Sequence, residues 1–113
     1  MYARVWKVGI LPGKVDEFTA AANAMMPILR KQPGFRGCVV LRTGPGEALE
    51  ATVFSLWDSV DALRNSETAS FQQALIHFLS LCEHHPLMRE EEVLMSEFAS
   101  ASPAILDDTA TRF

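Results

Sequence analysis

Several absences narrow the field before any residue is singled out. Only two cysteines occur in 113 residues, Cys38 and Cys82. They form no CxxC pair and no Cys/His zinc pattern. Two buried free thiols are the ordinary reading of such a pair, and a Cys38–Cys82 disulfide stays open at this level. Basic residues are few, ten against fourteen acids, giving a formal net charge of −4. They are scattered and form no stripe, so nucleic acid is not expected as a partner, because phosphate binding draws on clustered cations. No apolar run approaches the roughly 20 residues of a membrane-spanning helix. The first residues, Met1-Tyr2-Ala3-Arg4-Val5, lack the apolar core of a secretion signal. The expectation is a cytoplasmic protein with no membrane partner. There is no phosphate loop, dinucleotide fingerprint or serine-nucleophile elbow. No repeat of solenoid length occurs.

What is present is an ordered alternation of strand-like and helix-like segments in one domain. Residues 2–10 are rich in Val, Trp and Ile and read as a strand. Leu11-Pro12-Gly13-Lys14 ends it and opens a helix, with Asp16 and Glu17 in the first turn, where the helix dipole favours acids. Val15, Phe18, Ala22, Met25, Met26 and Leu29 follow at steps of three and four and mark its buried face. Arg30 and Lys31 suit its C-terminal end. Pro27 predicts a kink near residues 23–26, because it removes one helix hydrogen bond.

Residues 35–42 read as a second strand and 49–57 as a third, joined by a Gly/Pro turn as a hairpin. Asp58-Ser59 offers an N-cap for a short helical piece through Arg64. A longer helix is expected over 67–83, with Phe71, Ala74, Leu75, Phe78, Leu79 and Cys82 on its apolar face. A last strand is expected from Met88 or Arg89 to Phe98. The order β-α-β-β-α-β is the split βαβ, ferredoxin-like α+β arrangement: a four-stranded antiparallel sheet with its helices on one face. The domain spans residues 1–98, and 99–113 form a tail.

The strands are apolar on both sides. Trp6, Val8 and Ile10 share one side of the first, Ala3 and Val5 the other. Val53 and Trp57 oppose Phe54 and Leu56 in the third. Helices cover one face only, so the open face predicts a homodimer packed sheet to sheet. Ile105, Leu106 and Phe113 of the tail are candidates to dock on the partner.

Leu11-Pro12-Gly13-Lys14, then Pro33-Gly34-Phe35 with Gly37, then Trp57-Asp58-Ser59-Val60-Asp61-Ala62-Leu63, in that order and spacing, resemble the antibiotic biosynthesis monooxygenase (ABM) family of the dimeric α+β barrel superfamily. The resemblance covers residues 2–98. It implies a ferredoxin-like dimer with a pocket in each subunit between sheet and helices. Members include cofactor-independent oxygenases of quinols and polyketide anthrones, and a haem-degrading branch. The anthrone-oxidising members use an Asn four residues before the third-strand Trp and a Tyr six after it; here these are Val53 and Leu63. The haem branch places an Asn at the position of Trp6, and its Trp/His pair has no match, since His77 falls two residues late. Haem degradation is therefore disfavoured.

Five residues are candidates for a substrate pocket. Trp57 and Trp6 either stack on an aromatic substrate or fill core and interface. His77 is either a general base or a boundary histidine. Arg42 and Arg4 could hold an anionic group or a developing oxyanion. No catalytic residue is assigned. Glu83-His84-His85 lacks the spacing of a helical metal pair, so no metal is expected. The expectation is a cofactor-independent monooxygenase, needing no cofactor, acting on a small aromatic or quinol-like substrate. The alternative is a non-catalytic dimer binding a small apolar ligand in the same pocket. An isomerase or lyase using His77 is a third.

Overall fold

The computed structural model describes residues 1–43, 49–83 and 86–99. Its elements are β1 (Tyr2–Gly9), α1 (Val15–Arg30), β2 (Phe35–Thr43), β3 (Glu50–Trp57), α2 (Val60–Asn65), α3 (Ala69–Leu79) and β4 (Leu87–Glu92). The strands form one antiparallel sheet in the order β2-β3-β1-β4, with the helices on one face. This is the ferredoxin-like α+β arrangement that the order of elements predicts.

Local chemistry places each helix. A turn with Gly13 at φ 76° leads into α1, and its first turn carries Asp16 and Glu17. Phe18, Ala21, Ala22, Met25 and Leu29 form its buried stripe. Pro27 does not break α1, which runs as one helix through it. The missing hydrogen bond falls on the exposed side, where Asn23 and Pro27 meet water. Ser59 caps α2 by accepting from the Ala62 N–H at 3.1 Å, and Thr68 caps α3 by accepting from that of Phe71 at 3.3 Å.

Two boundaries differ from the sequence expectation. The last helix stops at Leu79 rather than running to Glu83. The backbone beyond it is taken up by the end of β1 instead: Leu11 N–H bonds the Leu81 carbonyl at 2.9 Å, and Glu83 N–H bonds that of Gly9 at 3.0 Å. The last strand covers Leu87–Glu92, not a run to Phe98. Its ladder partner is β1, which begins at Tyr2 opposite Glu92. The Val93 N–H reaches the Met1 carbonyl at 2.9 Å, one step past the ladder. Leu94, Met95 and Phe98 extend past the sheet, 91%, 87% and 63% exposed. The hairpin turn at residues 44–48, His84 and His85, and the tail from residue 100, including Ile105, Leu106 and Phe113, lie outside the described residues.

Register assigns the faces. Tyr2, Arg4, Trp6 and Val8 of β1 lie opposite Trp57, Ser55, Val53 and Ala51 of β3 on the helix side. The core gathers there around Val8, Ile10, Phe18, Trp57, Leu63 and Phe78. The other face carries Val5 opposite Phe54, and Val39 and Leu41 opposite Phe54 and Thr52. Val39 and Leu41 are 53% and 44% exposed, so that face is apolar and uncovered in the single chain. Among the described residues, no helix is long and apolar enough to cross a membrane.

Candidate functional site

Between sheet and helices the packing leaves space. A narrow cavity of about 40 Å³ is lined from the sheet by Arg4 and Trp6 of β1, Val53 and Ser55 of β3, and Cys38 and Val40 of β2. Ala22, Met25, Met26 and Leu29 of α1 and Phe71 and Phe78 of α3 close it. A wider cavity of about 380 Å³ adjoins it and shares Ala22, Met26, Cys38 and Val40; Arg42, Thr19 and Asn23 stand on its wall. The site falls here because its lining mixes large and small side chains. Ala22 and Ser55 are too small to fill the gap that their neighbours span.

Arg4 is the unusual member. It is 4% exposed, so its charge is held away from water. Nη2 donates to the Leu63 carbonyl at 3.0 Å and stands 3.4 Å from Glu67 Oε1. The guanidinium carbon lies 5.9 Å from the Phe71 ring centroid, in cation–π range. Burial lowers the pKa of Arg4, and Glu67 and Glu90 push it back up. An arginine still stays charged at any ordinary pH. Its Nε has no hydrogen-bond partner among the described residues. Trp6 Nε1 is in the same condition, while the indole meets Phe78 edge-on at 6.4 Å between centroids. Both groups are donors that cannot accept. An unpaired buried donor is costly, on the order of 1–3 kcal/mol.

The remaining candidates are distributed differently. Arg42 is exposed and borders the wider cavity, opposite Ala51 in the ladder. Trp57 is 0% exposed and lines neither cavity. Its Nε1 donates to Ser55 Oγ at 2.9 Å and its ring meets Phe35 at 5.2 Å. His77 is exposed on α3 and also lines neither. The structure thus brings Arg4 and Trp6 together in one cavity, sets Arg42 beside it, and leaves Trp57 and His77 apart.

Two lining features escape a reading for acids, bases and aromatics. Ser55 is one; its signal is a small polar residue on the helix-facing side of β3, between Val53 and Trp57. The Met25–Met26 pair is the other, legible as helix-face residues but not as a wall. Among the described residues, no carboxylate or imidazole lines the narrow cavity. Among the described residues, no three His, Cys, Asp or Glu side chains converge on one point. Both cysteines are free. Burial pushes the thiols of Cys38 and Cys82 up, so they stay protonated and weakly nucleophilic at neutral pH. The arrangement can therefore enclose an apolar body.

The fold has counterparts. The oxygenase SnoaB from Streptomyces nogalater, described as cofactor-independent, superposes with a TM-score of 0.73 at 16% identity, covering 84% of this chain and 94% of its own. A Bordetella bronchiseptica protein described as an antibiotic biosynthesis monooxygenase gives 0.73 at 18% identity, covering 83% and 97%. One from Caulobacter crescentus with the same description gives 0.74 at 20% identity, covering 83% and 90%. At these identities the likeness shows the fold. No curated protein matches the sequence. The sequence profile of antibiotic biosynthesis monooxygenases matches residues 1–76, two thirds of the chain, which therefore belongs to the antibiotic biosynthesis monooxygenase family.

Proposed function

We propose that this protein is a cofactor-independent monooxygenase for a small, reduced aromatic or quinol-like substrate, bound between sheet and helices. The observation that carries the reading is an apolar cavity enclosed between sheet and helices, lined by Trp6, Val53, Met25, Met26, Phe71 and Phe78. A reduced aromatic can supply the electrons for dioxygen itself once it has lost a proton. For a methylene between aromatic rings the balance is simple: CH2 and O2 give C=O and H2O, and substrate carbon is the only reductant. The protein's part is to bind, to favour the ionised form and to keep the reacting carbon dry. SnoaB carries a description of this kind on the same fold.

The test is oxygen uptake with a panel of dihydroquinones and anthrones, with chelator present and autoxidation subtracted. Saturable uptake is expected. Ala22→Leu pushes bulk from α1 into both cavities and is expected to cut uptake on the order of 100-fold, because a substrate displaced by about 1 Å loses that much. His77→Ala is expected to leave uptake unchanged, because the imidazole stands outside both cavities. Loss of uptake in His77→Ala would reinstate the histidine as a base. The absence of a carboxylate or imidazole on the narrow cavity favours one second reading, a binding module; tight ligand capture with no uptake across the panel would select it.

The working form in this reading is a homodimer closed through the open sheet face. Val5, Val39, Leu41, Phe54 and Leu56 supply the apolar surface. At about 25 cal/mol per Å² such a patch gains by being covered. Sedimentation equilibrium is expected to give twice the chain mass, and Leu41→Asp to give a monomer, since a two-fold axis brings two copies of the added charge to one interface. A monomeric wild-type chain at micromolar concentration would refute the dimer.

A further inference from the structure

We propose that the substrate is an aromatic bearing a short alkyl side chain, of about three carbons, which fills the narrow cavity while the ring lies in the wider one. This rests on the pair of cavities being the substrate site.

Three observations carry it. The first is the lining. Val53, Met25, Leu29, Phe71 and Phe78 wall the narrow cavity and take no part in the wider one. The polar atoms around them are engaged elsewhere. Arg4 Nη2 is taken by the Leu63 carbonyl and Glu67, and Ser55 Oγ accepts from Trp57. Arg4 Nε and Trp6 Nε1 are themselves buried and offer no surface to the space. Burial keeps the Cys38 thiol protonated, so it packs as a small apolar group. A space walled in this way stays dry, and a guest made of carbon displaces no bonded water.

The second observation is size. The narrow cavity holds about 40 Å³. A water-sized group needs roughly 10–15 Å³, and an apolar cavity that takes benzene measures about 150 Å³. Three carbons in a row fit, and a ring does not. The adjoining cavity, at about 380 Å³, has room for the ring.

The third is the order of polarity. Thr19, Asn23 and Arg42 line the wider cavity and are exposed, so its polar end is its mouth. The narrow cavity lies toward α3, closed by Phe71 and Phe78. A quinol keeps its oxygen atoms at the mouth, because a hydroxyl buried without a partner is costly. The substituent that points inward is then apolar. Chain length becomes the criterion of selection. Each methylene that enters raises affinity about four-fold, and one that finds no room is resisted by the close-packed wall.

The probes are phenol and its 4-methyl, 4-ethyl, 4-propyl, 4-butyl and 4-pentyl derivatives, titrated into the intact chain by calorimetry. They lack the second hydroxyl that makes a quinol a reductant, so binding is read without turnover. Affinity is expected to rise about four-fold per carbon as far as 4-propylphenol, on the order of 60-fold in all, and then to stop rising. Val53, opposite Trp6 in the ladder, tests the assignment in both directions. Val53→Ile adds a carbon to the wall and is expected to move the break to the ethyl compound. Val53→Ala removes two and is expected to move it to butyl or beyond. Circular dichroism reports whether each variant folds, and the wild-type series decides even if one does not. Affinity that climbs steadily through pentyl, or that ignores the chain, overturns the subsite. So does failure of every phenol to bind, or a break that stays at propyl in the folded variants. Oxygen uptake from hydroquinone and propylhydroquinone separates this from the oxygenase reading. A break at propyl without uptake would keep the subsite and remove the oxygenase. Uptake without a break would sink the subsite and leave the oxygenase.

Discussion

Trp57→Ala is expected to cost about 3–5 kcal/mol of folding stability, the range for a large aromatic removed from a close-packed core. The indole is fully buried, packs on Phe35 and donates to Ser55 Oγ. It anchors the end of β3, directly opposite Tyr2 and Phe35 in the two ladders. Against a total of about 5–15 kcal/mol for a domain, the variant is marginal. Thermal unfolding followed by circular dichroism should show a Tm lower by about 15 °C. Trp57→Phe retains most of the ring and loses the bond to Ser55, so it should lose only about 1–2 kcal/mol. A Trp57→Ala protein as stable as wild type, with altered substrate binding instead, would move this residue from the core to the site.

The second large effect is at a glycine. Gly34 has φ 82°, and a Cβ there would stand 2.6 Å from the Cβ of Ala62 in α2. The close approach is built into the fold, since the Gly34 carbonyl takes the Asp58 N–H at 2.8 Å just before α2 begins. Gly34→Ala combines left-handed strain of about 1–2 kcal/mol with overpacking of about 1–3 kcal/mol, so about 3 kcal/mol is expected. Gly13 separates the two parts: its φ is 76°, but no atom lies within 4 Å of an added Cβ. Gly13→Ala should cost about 1 kcal/mol. Adding Ala62→Gly to Gly34→Ala should recover the overpacking part, less about 1 kcal/mol for glycine in a helix. Urea midpoints at constant slope measure all three. Equal losses at Gly13 and Gly34 would show that the contact with Ala62 contributes nothing.

Much of this is legible along the chain. The period of two separates Trp6, Val8 and Ile10 from Ala3 and Val5 on the two sides of β1, because alternate side chains must point oppositely. The three-four spacing from Phe18 to Leu29 does the same for α1. Pro12-Gly13 and Gly34 mark turns, since only glycine takes a positive φ without strain. The apolar residues on both sides of β3 expose the need for a second cover.

Other features were decided only by tertiary structure. Trp6 and Trp57 point to the same side of the sheet, and periodicity cannot separate them; the register puts Trp57 beside Phe35, at the end of the ladder, and Trp6 beside the gap above Val53. β4 ends at Glu92, opposite Tyr2 at the start of β1, a pairing length no local propensity encodes. Above all, whether a donor is satisfied depends on what the rest of the fold brings within 3 Å of it. Arg4 reads along the chain as one more strand arginine. Burial against Phe71, a bond to the Leu63 carbonyl and an ion pair with Glu67 make it a cation held inside the layer, with Nε unpaired among the described residues. The sequence by itself determined the layers and their faces, because side-chain period and hydrophobicity act locally. The cavity and its chemistry came from packing, because an empty space belongs to no residue but to the several that fail to fill it.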